Sequence, residues 1–241
     1  MIHAEITYPC SHCQSKNIVK NGHDPKGKQQ YRCKNCGRGG VLNPTVRYTE
    51  AEKERIINAY YERPSMRGIE RVFGVARQTL AAWLKKAASA QAIPETLVPA
   101  RPDDTLELDE IWSFVYRRAN KRWLWTALCR RTRQIVAFVI GDRSEQTCRQ
   151  LWQRIPETYR RCHSFSDFWD AYALVFPKET HRCVGKGTGE TNHMERWNNT
   201  LRQSNARYVR KTLSFSKSDV YHELVTHLFI VRHNLKPTLA F

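Results

Sequence analysis

The stretch TLELDEIWSFVY, residues 105–116, decides how the rest of the chain is read. Leu106, Leu108, Trp112, Phe114 and Tyr116 fall on one parity, and Glu107 and Asp109 on the other. Period-two alternation is the signature of a β-strand, so this strand sets carboxylates on one face. Downstream, RWLWTAL (122–128) and QIVAFVIG (134–141) read as two more strands joined by the polar turn RRTR. Ser144 then caps a helix that places Cys148, Leu151, Trp152 and Ile155 at i, i+3, i+4 and i+7. A short strand near CHSF follows and ends at Asp167.

Three strands, a helix and a further strand, with carboxylates at two strand positions, predict a ribonuclease-H-like α/β core over residues 105–241. The segment ETNHMERWNNTLRQ (190–203) adds a helix. At 100° per residue Met194, Trp197 and Leu201 form an apolar stripe, with Asn192, Glu195, Asn199 and Arg202 roughly opposite. Such a helix buries one stripe on the sheet and presents Glu195 to a metal site, with Arg202 two turns on to hold a phosphate. Mg2+ takes oxygen ligands, usually one or two protein carboxylates per ion. Two such ions activate the attacking oxygen and stabilise the leaving oxygen of a phosphoryl displacement. By pattern alone Asp109, Asp167 and Glu195 suit this role, and so do Glu107, Glu110 and Asp170.

Upstream, Pro94, Pro99 and Pro102 mark residues 91–104 as a linker. Residues 47–90 read as helical. Thr49 and Glu52 form a capping box. RGIERVFGVARQTLAAWLKKA (67–87) has apolar Ile69, Val72, Phe73, Val75, Leu80, Trp83 and Leu84, with Gly74 between two short helices. This spacing fits a helix-turn-helix whose second helix exposes Arg77, Gln78, Lys85 and Lys86 to DNA. The alternative is an ordinary helical hairpin.

Residues 1–46 hold two Cys-x-x-Cys pairs, Cys10/Cys13 and Cys33/Cys36, separated by nineteen residues. Four thiolates complete a closed tetrahedral site with no open position, so the spacing predicts a zinc ribbon with structural Zn2+. His12 lies inside the first pair and is not needed. Lys16, Lys20, Lys26, Lys28, Arg32, Lys34 and Arg38 surround the motif as phosphate contacts or as a solvated face. Cys129, Cys148, Cys162 and Cys183 lack paired spacing and read as core residues.

Composition agrees with a partner that is a polyanion. The 241 residues carry 40 Lys and Arg against 23 Asp and Glu, a net charge of +17. Residues 1–100 hold 16 basic and 8 acidic residues, and residues 101–241 hold 24 and 15, so both halves are basic. Charge spread over folded segments points to nucleic acid rather than to a basic tail. No run reaches the ~18 apolar residues of a membrane span. The start MIHAEITYPC has no secretory pattern, so the chain is expected to stay in a reducing compartment.

The runs PCSHCQSKNIVKNGHDPKGKQQYRCKNCGR, ELDEIWSFV, KRWLWTAL, GDRSEQTCRQLWQRIP, SDFWDAYALVFP, VGKGTGETNHMERWNNTLRQ and RKTLSFSKS occur in this order. Together they resemble transposases of the bacterial insertion-sequence-one family, over nearly the whole length. The resemblance implies an Asp-Asp-Glu triad on a ribonuclease-H-like fold. Carried over, the Asp of ELDE is Asp109, the Asp of SDFW is Asp167, the Glu of NHMER is Glu195, and the following basic residue is Arg202. It further implies catalytic Mg2+ or Mn2+, binding to the inverted repeats of double-stranded DNA, and a homodimer or higher oligomer on DNA. His193 belongs to the same run, with contact to DNA or the leaving group and an orienting or packing role as its alternatives. After CGR the chain reads GGVLNPTVRY, where the family more often has a Thr-Phe-type continuation. The competing readings are a non-catalytic DNA-binding regulator and a nuclease or resolvase of the same fold.

Overall fold

The computed structural model describes residues 8–10, 12–25, 27–41, 48–62 and 65–236. The chain divides into two compact units, Met1–Lys53 and Glu54–Phe241. Lys26 and most of the departing run after CGR lie outside the described residues.

In the first unit β1 (Ile18–His23), β2 (Gln29–Cys33) and β3 (Gly39–Gly40) form an antiparallel sheet in that order. The two cysteine pairs sit in matching turns. Gln14 N donates to Cys10 O and Gly37 N to Cys33 O, each at 2.9 Å. Cys10 N donates to Ser15 O and Cys33 N to Arg38 O, each at 2.8 Å. Both turns close through a left-handed residue, Gly37 at φ 71° and Gln14 at φ 58°. Glycine takes this conformation freely and glutamine does so at a cost.

Helix α1 spans Glu50–Glu62 and starts at the expected capping box: Glu52 N donates to Thr49 Oγ1 and Thr49 N to Glu52 Oε2. In the second unit, α2 (Met66–Phe73) and α3 (Arg77–Ser89) meet at Gly74, whose φ of 64° ends α2 in a left-handed cap. Ile69, Val75, Leu80 and Leu84 are buried. Val72, expected among the apolar contacts, is 76% exposed. Phe73, four residues after Ile69, lies nearer the inward stripe, so Val72 turns to solvent. The expected linker, residues 91–104, is strapped down by buried polar groups. Gln134 Nε2 donates to Thr96 O, Val98 N donates to Gln134 Oε1, and buried Asp104 pairs with Arg131.

The centre of this unit is a five-stranded sheet of β4 (Thr105–Phe114), β5 (Lys121–Cys129), β6 (Ile135–Gly141), β7 (His163–Ser166) and β8 (His181–Cys183). The order is β6-β5-β4-β7-β8; β6, β5 and β4 pair antiparallel, and β7 and β8 continue parallel. Helices cover both faces. Leu106 and Leu108 pack with Leu151 of α4 (Glu145–Arg154), Tyr159 of α5 (Glu157–Arg160) and Tyr172 of α6 (Asp170–Val175). On the other face Ile111, Leu124 and Leu128 pack with Met194, Trp197 and Leu201 of α7 (Asn192–Ser204) and Ile230 of α8 (Asp219–Leu235). The apolar stripe of α7 is thus buried on the face of β4 that carries Glu107 and Asp109. Tyr116, read as a continuation of the strand's apolar parity, instead lies past its end, 67% exposed with φ 67°. Among the described residues no helix is long and apolar enough to cross a membrane.

Candidate active site and metal centre

Glu107 and Asp109 share a face of β4 but have different surroundings. Glu107 is fully buried and saturated with donors. His193 N (3.0 Å) and Met194 N (2.9 Å) donate to its Oε2, while His193 Nδ1 (2.6 Å) and Arg130 Nε (2.9 Å) reach Oε1. A strand carboxylate thereby receives the free N–H groups at the start of α7, where the helix dipole favours negative charge. His193 is committed to this joint. Asp170 is exposed in the first turn of α6.

Asp109 stands two residues further along, where β4 has outrun its neighbour. The parallel pairing of β4 with β7 ends in register Glu107↔Phe165, and continuing it two residues brings Asp109 level with Asp167. Beyond β7 the edge of β4 is open, and side chains from both of its faces reach the same notch. Asp109, Glu110 and Asp167 gather there, with carboxylate oxygens within 4.8 Å of one another. Burial and then the adjacent Glu110 and Asp167 push the Asp109 pKa up to about 7. Burial followed by Asp167 also raises that of Glu110.

Two clamps hold this cluster. Asn198 Nδ2 donates to Asp109 Oδ2 at 2.6 Å. Glu110 accepts from Arg143 Nε at 2.8 Å and from Tyr172 Oη at 2.9 Å, and the Arg143 guanidinium stacks 3.8 Å from the Trp169 ring centroid. Glu195 precedes Asn198 by three residues, so it lies on the same side of α7, one turn away. It is exposed and lines a cleft of about 500 Å³ together with Asp109, Glu110, Asp167, Asn198 and Arg202. Arg143 and Arg210 also line that cleft. Arg202 Nε is buried with no hydrogen-bond partner among the described residues. Burial and then the neighbouring Arg210 lower its pKa. The structure therefore brings Asp109, Asp167, Glu195 and Arg202 to one cleft, with Glu195 outside the tight trio and Glu110 inside it. Sequence patterning passed over Asn198 and Arg143. For Asn198 the available signal was its position one turn after Glu195.

The four cysteines form the second centre, their sulfurs within 4.8 Å of one another. Cys10 and Cys36 Sγ are 3.7 Å apart, and Cys13 and Cys33 Sγ 3.5 Å. A tetrahedron with Zn–S of ~2.3 Å has edges of roughly 3.8 Å, so the sulfurs already stand at coordination spacing. Backbone N–H groups of Cys13 and His12 lower the Cys10 pKa and those of Cys36 and Asn35 help bring Cys33 to about 6, whereas burial and the neighbouring sulfurs push Cys13 up to about 12. His12 is exposed and outside the group, and Lys16, Lys20, Lys28, Arg32, Lys34 and Arg38 are all exposed. Cys129, Cys148 and Cys162 are buried, and Cys183 is half-buried.

The residues expected to meet DNA are partly engaged. Arg77 Nε lies 3.0 Å from Glu70 Oε2 across the α2–α3 turn, and Lys85 Nζ sits 5.6 Å from the Tyr221 ring centroid. Gln78 and Lys86 are exposed.

Clustered carboxylates beside arginines suit metal-assisted handling of a phosphodiester. With four thiols arranged for one zinc, they define a DNA-processing class with a zinc-binding front. The family model described as IS1 transposase matches residues 105–236, and that of the InsA N-terminal domain matches residues 3–37. The chain belongs to the IS1 transposase family. It is 39% identical to the insertion element iso-IS1n protein InsB of Shigella dysenteriae over 127 residues, covering 53% of this chain and 94% of that protein. It is 33% identical to the IS1 protein InsB of Shigella flexneri over 128 residues, 53% of this chain and 95% of that protein. Against the IS1 4 protein InsB of Escherichia coli K12 the identity is 32% over 128 residues, 53% of this chain and 74% of that protein. The family is one of DNA-cutting and DNA-joining enzymes, and the four-cysteine ribbon supports bound zinc.

Proposed function

We propose that this chain is a DNA transposase that binds the terminal inverted repeats of an insertion sequence, cleaves each end and joins the released 3′-hydroxyls to target DNA. The observation that carries this reading is the meeting of Asp109 and Asp167 at the open edge of β4, in one cleft with Glu195 and Arg202. The antiparallel β6-β5-β4 set extended by parallel β7 and β8, with helices on both faces, supports a ribonuclease-H-like core. The α2–Gly74–α3 turn supports a helix-turn-helix, with Arg77, Gln78, Lys85 and Lys86 as its DNA-facing residues. The working units are a ribbon over 1–46, the helix-turn-helix over 47–90, a connecting strap over 91–104 and the catalytic domain over 105–241.

The donor set fits a divalent cation. It is all oxygen and closely spaced, and burial with the neighbouring Glu110 and Asp167 carboxylates raises the Asp109 pKa to about 7. Asp109 and Asp167 would hold Mg2+ or Mn2+, with Glu195 supplying the third carboxylate. When bound, the metal lowers the pKa of the attacking oxygen and stabilises the leaving one. Asn198 fixes Asp109 by one oxygen and leaves the other free. Arg202, half-buried with its Nε unpartnered among the described residues and beside Arg210, receives the scissile phosphate and the charge that grows on it in the transition state. In the first step water oxygen bonds to phosphorus as the P–O3′ bond breaks, leaving a 3′-hydroxyl on the element. In the second, that hydroxyl bonds to a target phosphorus as the target P–O3′ bond breaks, and its proton leaves. Two ends per event require at least a dimer on DNA. A protein acting on the chromosome works in the cytoplasm, at the nucleoid.

The test is strand transfer by zinc-loaded protein on DNA from the gene's flanks, with Mg2+ or Mn2+. Joined products from the native chain, and none from Asp167→Asn or Glu195→Gln, are expected. Activity surviving both substitutions overturns the site. Cleavage without joining would favour a nuclease or resolvase, and tight binding without chemistry a regulator.

A further inference from the structure

The β4–β5 hairpin tip carries an unexplained strain. Tyr116 has φ 67°, and Val115 O accepts from Arg117 N at 2.8 Å across it, a three-residue turn. Bulky residues rarely adopt this region, and such outliers cluster at functional sites. The loop before α8 holds the turn in place. Tyr116 N donates to Ser216 O at 2.7 Å, and Val115 bridges to Ser216. Ser216 is itself buried, its Oγ 2.8 Å from His222 Nδ1. Phe215 packs at a tilt against Phe114, with ring centroids 5.3 Å apart. A strained aromatic is thus presented to solvent on a firmly anchored platform.

Its surroundings are basic. Arg117, Arg118 and Lys121 on the hairpin, and Arg210, Lys211 and Lys217 on the loop, are all exposed. None of the six has an ion pair within 4 Å among the described residues. The loop is continuous with the cleft, because Arg210 lines the cleft while Ser216, six residues on, holds Tyr116. Along β4 the tip lies seven residues past Asp109, ~23 Å at ~3.3 Å per residue. That spans about seven base-pair steps of duplex at ~3.4 Å each.

We infer that the hairpin tip and the 209–217 loop form a second contact for duplex DNA, which follows the phosphate backbone away from the cleft and places Tyr116 against the sugar-phosphate edge. This rests on the transposase reading for its ligand but not for its test, since binding is measured without divalent metal or chemistry.

Zinc-loaded full-length protein is titrated onto labelled duplexes of equal length, one from the gene's flanking repeats and one of random sequence, across a salt series. Arg117→Ala/Arg118→Ala should flatten the log–log salt slope by about 2 and weaken binding roughly tenfold at the higher salt. Arg161→Ala, a control at the C-cap of α5, should change neither. Tyr116→Gly should keep or raise the melting temperature, because glycine accepts the positive φ, and still weaken binding several-fold. A loss confined to the flanking-repeat duplex assigns the surface to element ends, and one seen equally on both assigns it to any duplex, target included. Native slopes and affinities in the double variant and in Tyr116→Gly on both duplexes overturn the inference, whether or not Asp167→Asn abolishes strand transfer.

Discussion

Replacing Asp109 by Asn should stabilise the metal-free protein while abolishing its chemistry. The Asp109 carboxyl is raised from 3.8 to about 7 by burial and by its neighbours Glu110 and Asp167. A carboxyl whose folded pKa lies above its unfolded value binds a proton more tightly in the native state. Its contribution is therefore fully present below about pH 4, declines as pH rises, and is lost above pH 7. About three pKa units at ~1.36 kcal/mol each set a ceiling near 4 kcal/mol for the penalty of ionised Asp109 at pH 8. Asparagine has the same shape and no charge, and its Oδ1 can accept the Asn198 amide in place of the carboxylate. A gain of about 2–4 kcal/mol in a domain this size raises Tm on the order of 10 °C. The assay is thermal unfolding from pH 4 to 8, native against Asp109→Asn, in buffers stripped of divalent metal by resin so that the ribbon keeps its zinc. Native protein should lose stability between pH 4 and 7, regain it on adding Mg2+, and show a steeper slope than the variant. An Asp109→Asn protein that melts at or below the native temperature at pH 8 without Mg2+ refutes the reasoning, since the cluster would then carry no unbalanced charge.

Glu107→Gln tests the joint between β4 and α7. Disrupting a buried, multiply bonded charge costs about 3 kcal/mol and should lower Tm by roughly 6–12 °C, and an unchanged melting curve would remove Glu107 from its structural role. Asn198→Ala should reduce strand transfer or Mg2+ affinity about 10–100-fold, the usual cost of losing a group that orients a metal ligand, with little change in Tm; full activity would show that Asp109 needs no clamp. Cys33→Ser should release zinc and abolish amide protection in β1 and β2, read by metal analysis and hydrogen exchange, and retained stoichiometric zinc would refute the four-thiol site.

Several features were legible in sequence because each depends on short-range periodicity. Alternation along 105–116 gave the strand that holds Asp109, the 3.6-residue stripe gave the buried face of α7, and Cys-x-x-Cys spacing gave a thiol cluster whose sulfurs stand 3.5–3.7 Å apart across the pairs. Other features depend on what packs against what. Strand β8 is three residues long and too short for a period. The left-handed Gln14 is imposed by the turn it closes rather than by its own preference. Arg77 and Lys85 lie on the predicted helix, yet the first pairs with Glu70 and the second packs on Tyr221, contacts that only the assembled helices create.

The acidic run of β4 shows where pattern stops and topology begins. By alternation Glu107 and Asp109 are equivalent and Glu110 belongs to the opposite face. In the fold the equivalence breaks because β7 ends after Ser166. At Glu107 the strand is still paired and roofed by the first turn of α7, so its carboxylate is consumed by the backbone N–H groups of residues 193 and 194. At Asp109 the neighbouring strand has ended, and the notch admits Asp167 from the loop after β7 and Glu110 from behind. Arg143 and Tyr172 then restrain Glu110. The same joint that takes Glu107 out of the chemistry sets the height of α7 on the sheet, and with it the positions of Asn198, Glu195 and Arg202 around Asp109. The cleft is thus built by ending β7 at Ser166, level with Leu108 and one residue before the Asp109–Glu110 pair, so that Asp167 leaves the sheet where that pair begins.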